Sequence, residues 1–324
     1  MDRLSIIQQS IEPELAKMNA IIRDSLSSDN DLMDAVVSNY LLTKGKQIRP
    51  IMVILSAKFF GDVNQHVLHA GAALELLHNA SLIHDDVVDD TPLRRGRATV
   101  NNQWGNHIAV LVGDFFVANA LSAGIKTGIL SIISSLSDLG KELSIGEVDQ
   151  ICNVRDHRLD EGHYMSMIRK KTASLFRNCV KMGAEAVGIS EEQYRPLADY
   201  AELLGMCFQI RDDIFDYFSN PLIGKPTGND LREGKVTLPL LHAIATAPEP
   251  ISQRVIEMLH KGDLNEKEIG ILIDFAKEYN GIEYSFAKMR EMQADADNLL
   301  LAYPDSEWKE TFRQLFDYII SRDK

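Results

Sequence analysis

The sequence predicts an all-α protein built as one large helical bundle. Apolar residues recur at helical spacing from one end of the chain to the other, and no run of alternating apolar and polar residues predicts a strand. Hydrophobic residues make up 45% of the 324 residues and charged residues 25%, a balance that can bury a substantial core. Because no low-complexity stretch or linker interrupts the pattern, we expect a single domain over residues 1–324.

Composition narrows the range of functions. The formal net charge of −13 argues against a general nucleic-acid-binding protein, which needs a basic surface. The 3 cysteines include no C-x-x-C pair, so they predict neither a disulfide framework nor a zinc site. This cysteine usage fits a cytoplasmic protein.

No segment predicts export or a membrane span. Met1-Asp2-Arg3 is followed by mixed polar sequence rather than by the apolar core of a signal peptide. The most apolar stretch, Ile108–Ile125, is interrupted by Asp114 and Asn119, and a charge near the centre of a bilayer is costly. We therefore interpret this stretch as a buried helix of the bundle.

Helical spacing divides the chain into segments. Pro13 lies inside the first of them and predicts a kink or a break. The last helices carry no reactive cluster and are interpreted as scaffold, at about 237–247, 250–260, 266–279, 283–301 and 307–321. The helices before them are predicted at Leu4–Leu26, Asp31–Leu42, Ile51–Phe60, Asn64–Asp89, Ile108–Ile125, Ser134–Cys152, Asp160–Gly188 and Glu191–Phe218.

An acidic cluster closes the helix that ends near residue 89. In Asp85-Asp86-Val87-Val88-Asp89, positions 85 and 89 lie on one helix face, where like charges repel each other. A hard divalent cation such as Mg²⁺ would remove that repulsion, because it prefers carboxylate oxygens. The alternative is a solvated acidic helix end.

The same spacing recurs once. Asp212-Asp213-Ile214-Phe215-Asp216 lies 127 residues further on (212 − 85) and also follows an apolar helical run. One such cluster is easily an accident of the surface, whereas two clusters of one form are not. We therefore predict that they form two walls of one metal-filled cleft.

Basic residues accompany the first cluster. Lys46 and Arg49 are three residues apart and share a helix face beside Gly45, although they could be ordinary surface charges. Arginines in the loop Thr91–Arg97 suit multidentate binding of phosphate. A salt bridge from this loop to Asp89 or Asp90 is the alternative, and both could hold at once.

Two further features lie near the acidic clusters. His78 precedes Asp85 by seven residues, two helical turns, so it lies on the same side of that helix. His84 lies off this face and is interpreted as structural. The glycine-rich basic loop Pro221–Lys235 follows the second cluster and is interpreted as a flap over an anion or as a solvated connection.

Together these features suit a diphosphate ester with an apolar tail. No activated Ser or Cys, Walker loop or G-x-G-x-x-G motif is present. Metal ions and basic side chains would neutralise a departing diphosphate. A cavity that excludes water would protect the carbocation left behind.

The chain resembles the trans-isoprenyl diphosphate synthases, the polyprenyl synthase family, over about residues 40–240. The motifs occur together in the family's order. They are Gly45-Lys-Gln-Ile-Arg-Pro50, Leu82-Ile-His-Asp-Asp-Val-Val-Asp89, Leu93-Arg-Arg-Gly96, Gly113-Asp114, Lys171-Thr172, Phe208-Gln-Ile-Arg-Asp-Asp-Ile-Phe-Asp216 and Gly224-Lys-Pro-Thr-Gly-Asn-Asp230.

The resemblance implies an all-α fold around a central elongated cavity, usually in a homodimer. It also implies Mg²⁺-dependent condensation of isopentenyl diphosphate with an allylic diphosphate such as farnesyl or geranyl diphosphate. Ionisation comes first, then attack by the isopentenyl double bond, then proton loss, with the released diphosphate as the base.

The resemblance also assigns roles to individual residues. The metal ligands would be Asp85, Asp89 and Asp212, while Thr172 and Gln209 would line the place where the cation forms. The residues holding the allylic diphosphate would be Arg94, Lys171, Lys225 and Lys235. The isopentenyl diphosphate pocket would consist of Lys46, Arg49, His78 and Arg95.

Product length is predicted from the helix that carries Asp85. Ala80 and Ser81 lie roughly 6–8 Å below Asp85 at 1.5 Å per residue, and both are too small to block a growing tail. Leu77 and then Ala73 lie deeper, and Phe115 or Phe116 could form the floor. Because family members with short products tend to carry an aromatic residue at this level, the resemblance implies a long product of roughly C35 to C50, of the type used for quinone side chains and released with peripheral membrane contact.

Four other functions remain open. A short-chain synthase would share every motif, and a class I terpene cyclase or a head-to-head synthase would share the first acidic cluster. A His-Asp metal phosphohydrolase would use His84-Asp85 together with further histidines. A non-catalytic partner subunit is expected to have lost one acidic cluster, and both clusters are intact here.

Overall fold

The all-α class is confirmed in the computed structural model, which describes residues 3–42, 45–218 and 227–322. The helices are α1 Arg3–Ser10, α2 Glu12–Ser25, α3 Asp31–Leu41, α4 Ile48–Phe60, α5 Gln65–Val88, α6 Val100–Trp104, α7 Asn106–Lys126, α8 Leu130–Arg155, α9 Glu161–Ile168, α10 Ser174–Glu185, α11 Glu191–Phe215, α12 Asn229–Arg232, α13 Leu238–Thr246, α14 Glu249–Lys261, α15 Glu266–Glu278, α16 Gly281–Leu300 and α17 Glu307–Ser321.

The break predicted near Pro13 is confirmed. Helix α1 ends at Ser10, Ile11 leaves the helical region with φ −126°, and Pro13 lies in the first turn of α2. Proline fits this position because its missing N–H has no partner in the first turn of a helix.

The prediction that the chain has no strands needs a small correction. Strands β1 (Leu93–Arg94) and β2 (Arg97–Ala98) form a two-residue antiparallel ladder inside the predicted loop. Arg95 and Gly96 join them with φ values of 53° and 74°, the left-handed pair that a tight hairpin turn requires. An arginine at the first turn position gave no sequence signal for this conformation.

The long helix predicted over Asp160–Gly188 contains one irregular turn. Between α9 and α10, Arg169–Ala173 forms a π-helical turn. Such turns are rare and are frequently found at functional sites. This one carries Lys171 and Thr172, two of the predicted catalytic residues.

The described chain forms two compact units. The first unit is Met1–Lys141, Leu175–Ala198 and Tyr303–Leu315, and the second is Glu142–Ser174, Asp199–Ala302 and Phe316–Lys324. The single domain expected from the sequence stays a prediction.

The core of the first unit forms around α4 and α5. Residues Ile51–Leu55 have no exposed surface, as expected of a helix that is apolar on all sides. Gly183 of α10 approaches α4 so closely that a Cβ there would lie 2.5 Å from the carbonyl oxygen of Val53. The hydroxyl of Ser56 donates to the carbonyl oxygen of Val180 at 2.8 Å. Close backbone packing therefore fixes α4, and with it the segment that carries Arg49.

The helix predicted to be buried, α7, is buried on one face only. It packs on α5, where Gly113 lies against His84, whereas Leu111 and Ile125 are 57% and 62% exposed. Its length and composition alone would allow it to cross a membrane. Of its most apolar 18-residue window, 39% is buried inside the structure. The predicted burial therefore holds for the face that packs on α5, whereas the outer face is exposed.

The second unit packs α13 closely against α16. A Cβ on Gly281, the first residue of α16, would lie 2.0 Å from the carbonyl oxygen of Pro239. The close approach of the backbone therefore requires glycine at residue 281. Elsewhere in this unit Tyr200 and Phe316, both almost fully buried, pack edge to face with ring centroids 5.4 Å apart.

We expect Gly281→Ala to destabilise the protein by about 1–3 kcal/mol, the usual cost of overpacking. The measurement is the midpoint of urea denaturation followed by circular dichroism. Gly270→Ala is the matched control, because a Cβ there meets nothing within 4 Å and lies inside α15. The control should be neutral or stabilising by about 0.5–1 kcal/mol. Equal midpoints for the two variants would contradict this account of the packing.

Candidate active site

The first acidic cluster closes α5 in the first unit. Asp86 is only 3% exposed, and its Oδ1 accepts two hydrogen bonds from Arg94, from Nε at 2.8 Å and from Nη2 at 2.7 Å. The side chain of Asn101 donates to the backbone carbonyl oxygen of Asp86 at 3.0 Å. Asp86 therefore anchors the chain that follows α5, while Asp85 and Asp89, one turn apart, are half-buried.

Arg94 forms a salt bridge with the buried Asp86. The alternative considered for this loop was a salt bridge to Asp89 or Asp90, the neighbouring aspartates. The Arg94 guanidinium is two-thirds buried, so it holds the hairpin against the end of α5. The role predicted for Arg94 on the allylic diphosphate stays a prediction.

His84 explains the glycine of the Gly113-Asp114 motif. A Cβ on Gly113 would lie 2.2 Å from Nε2 of His84. The same nitrogen lies 3.2 Å from the carbonyl oxygen of Val110 and 3.5 Å from Oδ1 of Asp114. His84 therefore joins α5 to α7, which agrees with the structural role predicted for it.

The predicted basic residues of the first unit come from separate segments. The guanidinium of Arg95 lies against Gly45, where a Cβ would be 2.6 Å from its Nη1. Arg49 stacks over the ring of Phe176 at 5.4 Å. Lys46, on the segment that begins at Gly45, is exposed. The structure thus brings the Gly45–Arg49 segment and the hairpin together, as a shared anion pocket requires.

His78 and Glu75 lie beside these arginines on α5. Burial lowers the pKa of His78 well below its ordinary value, and repulsion from Arg49, Arg95 and Arg94 adds to the shift, so the imidazole is neutral. Its Nδ1 has no hydrogen-bond partner among the residues that the structure describes. Burial raises the pKa of Glu75, although the charges of Arg49 and Arg95 oppose that shift. Glu75 was not among the site residues predicted from the sequence.

In the second unit each aspartate of the second cluster has its own partner. Asp212 accepts from Nη2 of Arg322 at 2.5 Å, and Arg322 is almost fully buried. Asp216 accepts from the backbone N–H groups of Asn229 and Asp230, at 2.9 and 3.0 Å. Asp216 therefore orders the start of α12, inside what the sequence predicted to be a loop.

Asp213 is the buried member of the second cluster. Its Oδ2 accepts from the hydroxyl of Tyr164 at 2.6 Å, and its Oδ1 accepts from Nε2 of Gln209 at 2.8 Å. Oε1 of Gln209 accepts in turn from the hydroxyl of Thr172 at 2.8 Å. Burial raises the pKa of Asp213 to about 7, and repulsion from Asp212 and Asp216 adds to the shift.

Lys171 is held by two side chains of α8 that the sequence analysis left without a role. It forms a salt bridge with Glu147 and donates to Oε1 of Gln150 at 3.0 Å. Gly146 allows this approach, since a Cβ there would lie 3.2 Å from the backbone nitrogen of Lys171. The three-residue spacing of Glu147 and Gln150 was the available signal.

One cavity of the second unit collects four of the predicted residues. It has a volume of about 300 Å³, and Lys171, Thr172, Gln209 and Lys235 line its polar part. Asp213 and Tyr164 line the same part. The lining also includes apolar side chains, among them Leu159, Met167, Leu241, Leu259 and Leu264, and further charged ones, among them Arg158, Asp160, Asp230, Arg232 and Asp263. Lysines and apolar side chains in one cavity suit an anion with a hydrocarbon tail.

The remaining predicted residues differ in how deeply they are buried, and one lies outside the described residues. Lys235 lines the cavity and pairs with Glu233 at 2.5 Å, whereas Lys225 lies outside the described residues. Ala80 is fully buried, Leu77 is 9% exposed and Ser81 is half-buried. Of the two candidate floor residues, Phe116 is fully buried and packs against Tyr40 with ring centroids 5.4 Å apart, while Phe115 is half-buried.

The donor set fits Mg²⁺. Within the described ranges no group of three or more His, Cys, Asp or Glu side chains could hold a metal ion by itself. Mg²⁺ usually takes one or two carboxylates and completes its shell with water and substrate phosphate oxygens. Asp85 and Asp89 supply such carboxylates, and the convergence of the two acidic clusters on one cleft stays a prediction.

Comparison with known proteins agrees with these features. The family model described as polyprenyl synthetase matches residues 30–274. The octaprenyl diphosphate synthase of Haemophilus influenzae is 35% identical over 325 residues, covering 99% of this chain and 98% of that protein.

Two solved structures share the fold over nearly the whole chain. The polyprenyl synthase of Caulobacter crescentus, complexed with calcium and isoprenyl diphosphate, has a TM-score of 0.93 at 31% identity, covering 99% of this chain and 98% of that one. The geranylgeranyl pyrophosphate synthase of Bacteroides thetaiotaomicron has a TM-score of 0.86 at 38% identity, covering 99% and 100% respectively.

The family model and the relatives make the protein a prenyltransferase. The chain belongs to the polyprenyl synthetase family, because the family model covers most of its length and a relative 35% identical covers nearly all of it. The resemblance drawn from the motifs is thereby confirmed.

We expect Asp216→Asn to loosen the start of α12, because an amide offers one acceptor oxygen in place of two. Loss of one hydrogen bond should speed exchange of the Asn229 or Asp230 amide roughly five- to ten-fold. The measurement is hydrogen exchange followed by mass spectrometry over residues 227–235.

Asp160→Asn is the control for this experiment. Asp160 also accepts a backbone N–H, that of His163 at 2.7 Å. Its substitution should change protection at the start of α9 and leave residues 227–235 unaffected. Unchanged exchange at both amides in the Asp216 variant would show that Asp216 does not order this segment.

Proposed function

We propose that the protein condenses isopentenyl diphosphate with an allylic diphosphate and repeats the step to make a long-chain trans-polyprenyl diphosphate. The cavity of the second unit carries the proposal, because it combines lysines, an ordered Thr–Gln pair and an apolar wall. The octaprenyl diphosphate synthase relative supports the product class.

The allylic substrate would bind in this cavity. Lys171 and Lys235 would hold its diphosphate, and the leucine side chains of the cavity would exclude water around it. Lys171 forms a salt bridge with Glu147, so its ammonium is already aimed before substrate arrives. Thr172 and Gln209 would face the carbon from which the diphosphate departs.

Asp85 and Asp89 of the first unit and Asp212 of the second are the proposed ligands of Mg²⁺. When bound, Mg²⁺ supplies the positive charge that stabilises the departing diphosphate. Because Oδ1 of Asp212 accepts from Arg322, ligation by Asp212 would use its other oxygen or displace the arginine. The Arg322 contact orients the Asp212 carboxylate.

Isopentenyl diphosphate would bind in the first unit. Arg49 and Arg95 lie together beside the neutral His78, and Lys46 is on the adjoining segment. The neutral imidazole can donate one hydrogen bond to a phosphate oxygen without adding charge. Proton loss after bond formation would be taken up by the released diphosphate.

Product size tests the proposal directly. Purified protein is incubated with farnesyl diphosphate, isopentenyl diphosphate and Mg²⁺, and the products are sized by chromatography. We expect chains of roughly C35 to C50, because small side chains at 80 and 81 leave the tail unblocked one to two turns below Asp85. A geranylgeranyl end point, as the name of the Bacteroides relative suggests, would overturn the length claim. Diphosphate release without isopentenyl diphosphate would favour a cyclase.

We expect Ala80→Phe to shorten the product, because a ring at this level would block a tail growing along α5. Ala73→Phe is the graded comparison, since Ala73 lies about 10 Å deeper on the same face of α5. Ala73→Phe should therefore allow a longer product than Ala80→Phe. Both alanines are fully buried, so thermal midpoints must show that each variant folds. Unchanged product lengths in folded variants would show that the tail does not follow α5.

We also propose a cytoplasmic homodimer. The outer face of α7 supports it, since Val110, Leu111, Leu121 and Ile125 are 41–62% exposed, and contiguous apolar patches of this kind commonly mark protein interfaces. Sedimentation equilibrium should give twice the mass of the chain, and Leu121→Arg should halve it. A monomer for the wild-type protein would contradict the dimer.

A further inference from the structure

We propose that Tyr164 is a positioning residue for the condensation reaction, acting through Asp213 to fix the orientation of the Gln209 amide. The inference rests on the proposed function of the cavity in the second unit. Tyr164 belongs to none of the motifs that identify the family, and its only sequence signal is its place seven residues before Lys171.

Four side chains form one continuous chain of hydrogen bonds. The phenol of Tyr164 donates to Oδ2 of Asp213 at 2.6 Å, and Nε2 of Gln209 donates to Oδ1 of Asp213 at 2.8 Å. Thr172 donates to Oε1 of Gln209 at 2.8 Å. All four side chains line the cavity, and Tyr164 is only 3% exposed.

The carboxylate of Asp213 decides which way the Gln209 amide points. In the structure Nε2 of Gln209 donates to Asp213, and the ionised form of Asp213, which only accepts hydrogen bonds, holds the NH₂ group in that position. The Gln209 carbonyl oxygen then faces Thr172, whose hydroxyl donates to it. Because the Thr172 proton is used in this way, the lone pairs of its oxygen remain available to the cavity.

This orientation matters because the reaction forms a positive charge on carbon. Oxygen lone pairs that are fixed before the reaction stabilise such a charge in a site that excludes water. A reversed Gln209 amide would turn its NH₂ group toward Thr172 and the cavity, and the positive end of that dipole would oppose the cation. The direction of one amide therefore changes the barrier to ionisation.

Tyr164 fixes the carboxylate that fixes the amide. Without the phenol, the buried Oδ2 of Asp213 would lose a hydrogen-bond donor. Its burial leaves little room for a water molecule to replace that donor. The carboxylate could then turn about its side-chain torsion, and the Gln209 amide would lose its fixed acceptor.

Tyr164→Phe tests the proposal, since it removes one hydroxyl and keeps the ring. We expect kcat to fall roughly ten- to a hundred-fold, the effect of losing a buried hydrogen bond to a charged group. The KM values for farnesyl and isopentenyl diphosphate should change less than about two-fold, because binding and orientation of the diphosphates do not use this phenol. A rise in KM with unchanged kcat would overturn the positioning role.

Tyr194→Phe is the matched control. Tyr194 is also buried, at 4% exposure, and its hydroxyl donates to Oε1 of Glu185 at 3.0 Å, within the first unit. Its loss should leave kcat unchanged. If both variants lowered kcat equally, the effect of Tyr164→Phe would be a general effect of removing a buried phenol, and the proposal would fall.

A double-mutant cycle with Gln209→Ala separates positioning from a structural role. If Tyr164 acts through Gln209, Tyr164→Phe should have no further effect on kcat in the Gln209→Ala background. Additive losses would show that it acts independently and would overturn the proposal. If Tyr164→Phe fails to fold, Asp213→Asn replaces it in the same cycle with the same expectation.

Activity of the wild-type enzyme separates failure of the proposed function from failure of the role proposed for Tyr164. A wild-type enzyme that makes no polyprenyl product would refute the function itself. A wild-type enzyme that makes the product, with Tyr164→Phe equally active, would refute only the role of Tyr164.

Discussion

Repulsion between neighbouring carboxylates is the constraint on which the site depends. Each acidic motif places three aspartates within five residues, an arrangement that a folded chain tolerates only if each negative charge has a counterpart. In both motifs the second aspartate is buried and bound to the protein. Asp86 takes two hydrogen bonds from Arg94, and Asp213 takes one each from Tyr164 and Gln209. The outer aspartates are the more accessible members.

Aspartates of both motifs hold the neighbouring segments in place. Asp86 holds the β1–β2 hairpin, which sets Arg95 against Gly45 and beside His78. In the second unit Asp213 orders the Gln209–Thr172 pair, and Asp216 orders the segment leading to Lys235. The hairpin that carries Arg95 and the segment that leads to Lys235 are thus each held by an aspartate of an acidic motif, and both segments carry basic residues proposed to bind diphosphate.

Periodicity predicted the fold class and most helix positions, because helical burial repeats every 3.6 residues. The resemblance to the family's motifs pointed to Lys171, Thr172 and Gln209, which line the cavity. The contacts of Glu75, Glu147 and Tyr164 were not predictable in this way, since each depends on a partner far along the chain. The hairpin and the π-helical turn depend on backbone angles for which the sequence carries no strong signal.

The most direct test of this account is crystallographic. Crystals grown with Mn²⁺ in place of Mg²⁺ and an unreactive thio analogue of an allylic diphosphate would show the metal by its anomalous scattering. The account predicts manganese peaks within coordinating distance of the carboxylates of Asp85 and Asp89, with Asp86 and Asp213 keeping their protein partners. A bound analogue with no metal at either acidic motif would contradict it.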